Sequence, residues 1–306
     1  MDKIKIKKEY EKKIKFLIKL NKYYYELSKP IVEDQEYDQI KSEIFSLEKR
    51  YDFLKSEDSP SKKVGYRPSK TFKKVLHKVS MLSLSNAFSE EDLTNFEKKI
   101  INFLDKDSSF EIEYSAEPKI DGISASLTYK KGKFEMGLSR GDGKEGEDIT
   151  QNLKTINDIP KEILVKDFPT DIDIRGEVFI GNKDFEKIKD KFANPRNAAS
   201  GSLRQKNPND TKKIPLKFIA YTFGYEKGMK VQKQNEYLQK LTEWGFKTNP
   251  HNKTLKGVQN LMNNYYEIEK KRNEIDFDID GIVYKINDFN LQKRLGNVAN
   301  SPRWAI

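Results

Sequence analysis

Glu117-Pro118-Lys119-Ile120-Asp121-Gly122 brings a primary amine, two carboxylic acids and a glycine together within six positions. The stretch lies between two strand-like runs, so Lys119 stands on a strand edge or a tight turn. A lysine so held is a candidate nucleophile for phosphorus. A free lysine amine has a pKa of about 10.4 and is protonated at neutral pH. It must lose that proton before it attacks, through burial or neighbouring cations. Gly122 would let the backbone come close to a nucleotide. Taken alone, K-x-D-G is a pattern that chance supplies often.

Three later blocks add complementary chemistry: Ser139-Arg140-Gly141-Asp142-Gly143, Arg175-Gly176-Glu177-Val178 and Asp280-Gly281-Ile282-Val283-Tyr284-Lys285. Each also reads as ordinary structure. Arg175 and Glu177 suit a cross-strand surface pair, Tyr221 a core position, and Lys285 an exposed strand position.

The elements that must position these groups follow from periodicity. Ile4, Ile6, Tyr10, Ile14, Leu17, Ile18 and Tyr24 recur at helical spacing, which predicts a helix ended by Ser28-Lys29-Pro30, where proline cannot continue it. Asp34 stands as an N-cap for a second helix, with Tyr37, Ile40, Ile44 and Leu47, running to about Tyr51. Two antiparallel helices joined by a short turn make a small helical module. Ser56 to Lys70, with Pro60, Gly65 and Pro68, reads as a linker. Ser89-Glu90-Glu91-Asp92 opens a further helix to about Phe103. From Phe110 the period becomes that of strands, in FEIEYSAE, ISASLTY and KFEMGLS, then 172–180, 217–224 and 281–286. Helices are predicted over 183–191, 231–244 and 254–273. Without strict βαβ alternation the class is α+β, built on antiparallel sheets. No internal repeat or low-complexity tract is visible.

Composition narrows the options. The 306 residues suffice for one large and one smaller domain. The formal net charge of +10 suits a polyanionic partner such as nucleic acid. Lys3, Lys5, Lys7, Lys8, Lys12, Lys13 and Lys15 crowd the first helix, however, which equally describes a solvated face. The absence of cysteine excludes disulfides, thiolate metal sites and cysteine nucleophiles. His77 and His251 are too few for a histidine metal site. No signal peptide or membrane span is apparent, so a cytoplasmic protein is expected.

These blocks together resemble the covalent nucleotidyltransferases, which include DNA ligases, RNA ligases and capping enzymes. Within that superfamily the bacterial NAD-dependent DNA ligases are more closely similar. SPSKKVG (59–65), HKVSMLSLSNAF (77–88), SRGDGKEGEDIT (139–150), NPRNAASGSLRQ (194–205), DGIVYKIN (280–287) and SPRWAI (301–306) look like that family's signatures in that family's order. The resemblance spans nearly the whole chain. It implies a helical subdomain over 1–66 that binds nicotinamide mononucleotide. It also implies an antiparallel-sheet, ATP-grasp-like nucleotidyltransferase (adenylation) domain over 67–306.

By position, the resemblance makes Lys119 the residue that becomes lysyl-AMP and Glu117 the acceptor for the adenine amino group. Ser83 and Leu84 fall where backbone groups line the adenine, and Tyr221 where an aromatic ring stacks on it. Arg140 and Glu177 match residues that hold the ribose, and Lys285 one that neutralises the α-phosphate. Asp121 and Asp280 match supporting or metal-organising carboxylates. Arg196 and Arg204 would serve phosphate, DNA or packing. Mg²⁺ or Mn²⁺ is implied, with no metal ligand assigned.

NAD rather than ATP follows from the helical module. The leaving group carries a cationic pyridinium ring, which suits aromatic faces and carboxylates. Tyr24, Tyr25, Asp34, Tyr37 and Asp38 match the family's nicotinamide-binding positions; alternatively they are a capped helix with a tyrosine core. Where relatives carry Tyr-His, this chain has Tyr24-Tyr25. The resemblance further implies a fragment of a monomeric, nucleoid-associated enzyme of replication and repair that seals nicked duplex DNA. A later lysine and the OB, zinc, helix-hairpin-helix and BRCT regions would follow in the longer protein. The alternatives are an ATP-dependent ligase or capping-type enzyme, and a non-catalytic nucleic-acid-binding module.

Overall fold

The computed structural model describes residues 3–21, 23, 31–32, 34–54, 59, 72–107, 109–299 and 301–306. Tyr24, Tyr25 and nearly all of the expected linker lie outside the described residues, as do the side chains of Asp34 and Asp38.

Helices α1 (Lys3–Asn21) and α2 (Asp34–Arg50) bury Leu17, Leu20, Tyr37 and Ile44 between them. Side-chain contacts among the described residues tie the pair: Tyr10 to Glu48 at 2.7 Å, Lys13 to Glu43 at 2.7 Å, and Tyr37 to Asn21 at 2.7 Å. As one partner number rises the other falls, so the helices are antiparallel, as their patterning predicts.

Beyond the module come β1 (Lys74–Leu76), α3 (Glu90–Phe103), β2 (Glu113–Ile120), β3 (Ile123–Lys130), β4 (Lys133–Ser139), β5 (Glu145–Glu147) and α4 (Thr150–Leu153). Next are β6 (Asp171–Phe179), α5 (Asn182–Phe185), α6 (Pro195–Leu203), α7 (Pro208–Lys212) and β7 (Lys217–Lys227). The chain continues with α8 (Gln234–Glu243), β8 (Lys253–Lys256), α9 (Val258–Lys271), β9 (Ile279–Ile286), α10 (Phe289–Leu295), β10 (Asn297–Val298) and β11 (Ser301–Pro302). Helix α3 starts at the expected capping box, where Ser89 and Asp92 bond each other's backbone N–H at 3.1 Å.

Two antiparallel sheets frame the site: β4-β3-β6-β7 and β8-β2-β9. In the larger sheet, strand alternation separates two faces. Ala125, Leu127, Tyr129, Ile172, Ile174 and Val178 enter the main core. The opposite face pairs Ser124 with Glu177, Ser126 with Arg175 and Thr128 with Asp173. That second face is polar yet largely buried, the reverse of a solvated sheet surface. Behind the smaller sheet, Tyr114, Ala116, Tyr284 and Ile286 pack with Leu93, Ile100 and Leu261 in a second core. The SPRWAI block runs along β9, where Tyr284 and Ile306 exchange backbone bonds of 2.9 and 3.1 Å.

Three expected helices are altered. The 254–273 helix begins only at Val258, because Lys253–Lys256 pairs with β2 and Gly257 breaks the chain direction at φ +74°. Over 183–191 a single turn of α-helix is followed by a separate 3-10 turn at Lys189–Lys191. The 231–244 helix starts at Gln234, since Lys233 bridges to Asp288.

Candidate active site

Ser115, Glu117 and Lys119 share one face of β2, and their register partners on β9 are Lys285, Val283 and Gly281. Between Lys119 and Ile120 the register slips, leaving Asp280 as an extra residue on β9. Such bulges re-aim side chains, and here Asp280 Oδ2 lies 2.5 Å from Lys119 Nζ. Gly281 accommodates the bulge at φ +153°, which other residues rarely adopt. Burial, expected to free the amine of its proton, is not what this site provides. The Lys119 side chain is 46% exposed, and a carboxylate sits on its nitrogen.

Glu117 and Lys285 form a buried pair, Nζ to Oε2 at 2.7 Å, with side chains 6% and 8% exposed. Ser115 Oγ and Gln234 Nε2 each donate to Glu117 Oε1 at 2.9 Å. Lys285 Nζ also donates to the Tyr221 carbonyl at 3.2 Å and lies 5.3 Å from the centre of the Tyr221 ring. Lys285 is therefore neither an exposed strand position nor directed at Lys119. Its ammonium joins Glu117 and Tyr221, the residues expected at the adenine.

Tyr221 owes its orientation to a second bulge. Arg175 pairs with Thr222 and Gly176 with Ala220, so Tyr221 is the unpaired residue. The bulge reverses the parity of β7: Phe218 and Ala220 enter the core before it, Phe223 after it. Tyr221 is thereby held on the polar face, its hydroxyl donating to Glu177 Oε2 at 3.4 Å. Burial, then the Glu177 carboxylate, raise the phenol pKa.

Glu177 also accepts from Ser124 Oγ at 3.0 Å. Burial pushes its pKa up to about 7, against the fields of Arg196 and Lys119 that lower it; Asp280 adds a smaller upward push. Gly122 reaches close to a neighbour, but that neighbour is β6. A Cβ there would stand 2.5 Å from the Val178 carbonyl and 2.8 Å from Glu177 Cγ.

The raised Glu177 pKa makes a pH prediction. The usual carboxyl value is 4.5 and the folded value about 7. Between those values the unfolded chain releases a proton that the folded one keeps. This contribution to stability is present below pH 4.5 and lost as pH rises through 7. Because the side chain is only partly shielded, the loss should be on the order of 1–2 kcal/mol. Thermal unfolding of Glu177→Gln between pH 5 and 8 is expected to show that much less decline than the parent.

The 77–88 segment is fastened from several sides. Arg140 donates to Leu82 O at 3.3 Å and Ser83 Oγ at 2.7 Å, and Met81 N donates to Gly143 O at 2.8 Å. Arg175 donates to Ser80 O at 3.2 Å and also to Val79 O. His77 Nε2 is 3.1 Å from Arg140 O, and burial lowers its pKa. Arg175 is thus a buried clamp on this segment and not half of a surface pair. The Nε atoms of Arg140 and Arg175 are buried without a partner among the described residues. Arg175→Met should remove two carbonyl contacts and lower stability by about 2–3 kcal/mol in urea unfolding.

Of the remaining candidates, Asp121 is paired with Arg196. Arg204 Nε donates to the fully buried Glu147 at 3.1 Å. Leu84 lies in the same segment as Ser83 and is half-buried. Tyr37 sits in the helical core at 8% exposure, its hydroxyl donating to Asn21. Gln234 and Ser115 carry no sequence signature of a site, and Arg175, although it stands in one of the blocks that carry chemistry, is not among the expected site residues. Among the described residues no three Asp, Glu, His or Cys side chains gather in one place, whereas Mg²⁺ is commonly held by one or two carboxylates together with substrate phosphates. Asp280 is held by Lys119 and Asp121 by Arg196.

A family profile described as the NAD-dependent DNA ligase adenylation domain matches residues 69–306. Another, described as the DNA ligase-like N-terminal NAD+-binding domain, matches residues 3–65. A DNA ligase of Pelagibacter ubique is 68% identical over 298 residues, which cover 97% of this chain and 44% of that protein. A DNA ligase of Parvibaculum lavamentivorans is 45% identical over 296 residues, 94% of this chain and 42% of its own length. For one of Saccharophagus degradans the values are 43%, 295 residues, 94% and 44%. The chain belongs to the NAD-dependent DNA ligase adenylation domain family. It spans less than half the length of these relatives.

Proposed function

We propose that this chain takes AMP from NAD onto Lys119 and releases nicotinamide mononucleotide. The observation that carries the reading is the convergence around Lys119: Asp280 on its nitrogen, and the Glu117–Lys285–Tyr221–Glu177 set beside it. Lys119 Nζ, after giving its proton to Asp280 and thence to solvent, attacks the adenylyl phosphorus in line. An N–P bond forms as the bond to the phosphate oxygen of nicotinamide mononucleotide breaks, and that oxygen keeps the electron pair. Fixed charges supply most of the acceleration in such transfers, since positioning and electrostatics dominate them.

Glu117 accepts from the adenine amino group, Tyr221 stacks on the base, and Ser83 and Leu84 line it. Arg140 and Glu177 hold the ribose. The Glu117 contact favours a base-end role for Lys285 over the α-phosphate role implied by family position. Residues 1–66 act as a separate domain in which Tyr24, Tyr25, Asp34 and Asp38 receive the nicotinamide. Mg²⁺ or Mn²⁺ belongs to the family's chemistry. In the longer protein, a cytoplasmic and nucleoid-associated monomer, AMP would pass to the 5′-phosphate of a nick in duplex DNA.

Incubation with NAD or ATP labelled in the adenylate, followed by a denaturing gel, tests the reading. Covalent label from NAD alone is expected. Label from ATP alone would favour an ATP-dependent ligase or capping-type enzyme. No label with either, alongside salt-sensitive nucleic-acid binding, would favour a non-catalytic module.

A further inference from the structure

Gln234 opens α8, yet its side chain is turned inward and only 1% exposed. A buried amide must find partners for its donors. Gln234 Nε2 has two, Glu117 Oε1 at 2.9 Å and the Tyr221 carbonyl at 2.7 Å. It thus ties the residue proposed to read the edge of the base to the backbone of the residue proposed to stack on its face. These two groups stand on strands of different sheets, β2 and β7.

Donor counting shows what the tie does. An ionised carboxylate offers about four acceptor positions. Ser115 and Gln234 occupy both on Oε1, and Lys285 occupies one on Oε2. One position on Oε2 is left among the described partners. A base that presents an N–H donor satisfies it; a base that presents a carbonyl oxygen sets lone pair against lone pair.

We propose that Gln234 is a specificity-determining positioning residue: by fixing the Glu117 carboxylate, it selects dinucleotides whose purine carries an amino group at C6 over those with an oxygen there. This rests on the adenylation reading above. Without the Gln234 donor, the Glu117 carboxylate is held only by Ser115 and Lys285, and its remaining acceptor is less firmly directed. The limiting rate of transfer to Lys119 should change little, because Gln234 touches neither the amine nor Asp280 in any recorded contact.

The test uses the full 306-residue chain in single-turnover adenylation, comparing NAD with nicotinamide hypoxanthine dinucleotide. For Gln234→Leu, the half-saturating NAD concentration should rise roughly ten- to hundredfold. The preference for NAD over the hypoxanthine analogue should shrink by roughly tenfold, while the limiting rate with NAD stays within about threefold. Gln234→Glu keeps the volume but replaces the donor with an acceptor, and should lose selectivity in the same way. A folded variant with unchanged half-saturation and unchanged base preference would overturn the proposal. So would one whose limiting rates fall equally for both dinucleotides, the mark of a purely structural residue. Failure of the parent chain to become labelled from NAD would instead defeat the adenylation reading itself.

Discussion

Lys119→Ala is expected to lower NAD-driven self-adenylation by more than about 10⁴-fold, because it removes the amine proposed to form the covalent bond. Lys119→Arg should fail as completely. Its guanidinium can keep the ion pair with Asp280 but is always protonated and cannot attack. Neither change should unfold the protein. The Lys119–Asp280 pair is half-exposed, and such pairs contribute about 0–1 kcal/mol. Melting temperatures should therefore stay within about 3 °C of the parent. A large fall in stability, or retained adenylation, would be inconsistent with this site. Asp280→Asn extends the argument. It removes the proton acceptor, so the rate should fall more steeply than the affinity for NAD.

Lys285→Met should have the largest effect on stability. It leaves the Glu117 carboxylate buried, with hydrogen bonds from Ser115 and Gln234 but no opposing charge. Removing one member of a buried pair costs about 3–5 kcal/mol, which for a domain of this size lowers the melting temperature by about 10 °C. The double variant Glu117→Gln/Lys285→Met removes both charges and should recover roughly half of the loss. Adenylation should not recover with it, because the oriented acceptor for the base is still missing. Thermal unfolding and single-turnover labelling of the same three proteins separate the two consequences. Equal stability of the single and double variants would argue against a true ion pair.

Much of this site could be read along the chain, since its groups lie in contiguous blocks. Lys119 and Glu117 share the face of one strand, and Glu177 follows from the alternation of β6. The α+β class likewise followed from a change of period after Phe110. Geometry that depends on register could not be read in this way. The bulges at Asp280 and Tyr221 arise from pairing with β2 and β6, and a one-residue slip leaves no mark in local composition. Lys285 looked like a phosphate ligand by position, and only the pairing of β2 with β9 sets it on Glu117. Gln234 sits in a run that reads as a polar helix start, QKQNEYL. Its burial is imposed by the two sheets that meet over it. The run that forms β8 reads as part of a helix, because KTLK has one apolar residue and so no period to mark it as a strand. Tyr37 shows the converse: helical spacing allows both a ligand-facing ring and a core ring, and only the packing shows it buried beside Leu17 with its hydroxyl on Asn21.

The most direct measurement is to map the attachment of AMP by peptide mass spectrometry after exposure to NAD. Digestion should be carried out under conditions that preserve the acid-labile nitrogen–phosphorus bond. The account predicts one adenylate per chain, on the peptide carrying Lys119, together with free nicotinamide mononucleotide. An adenylate on any other residue, or none after prolonged exposure to excess NAD, would contradict it.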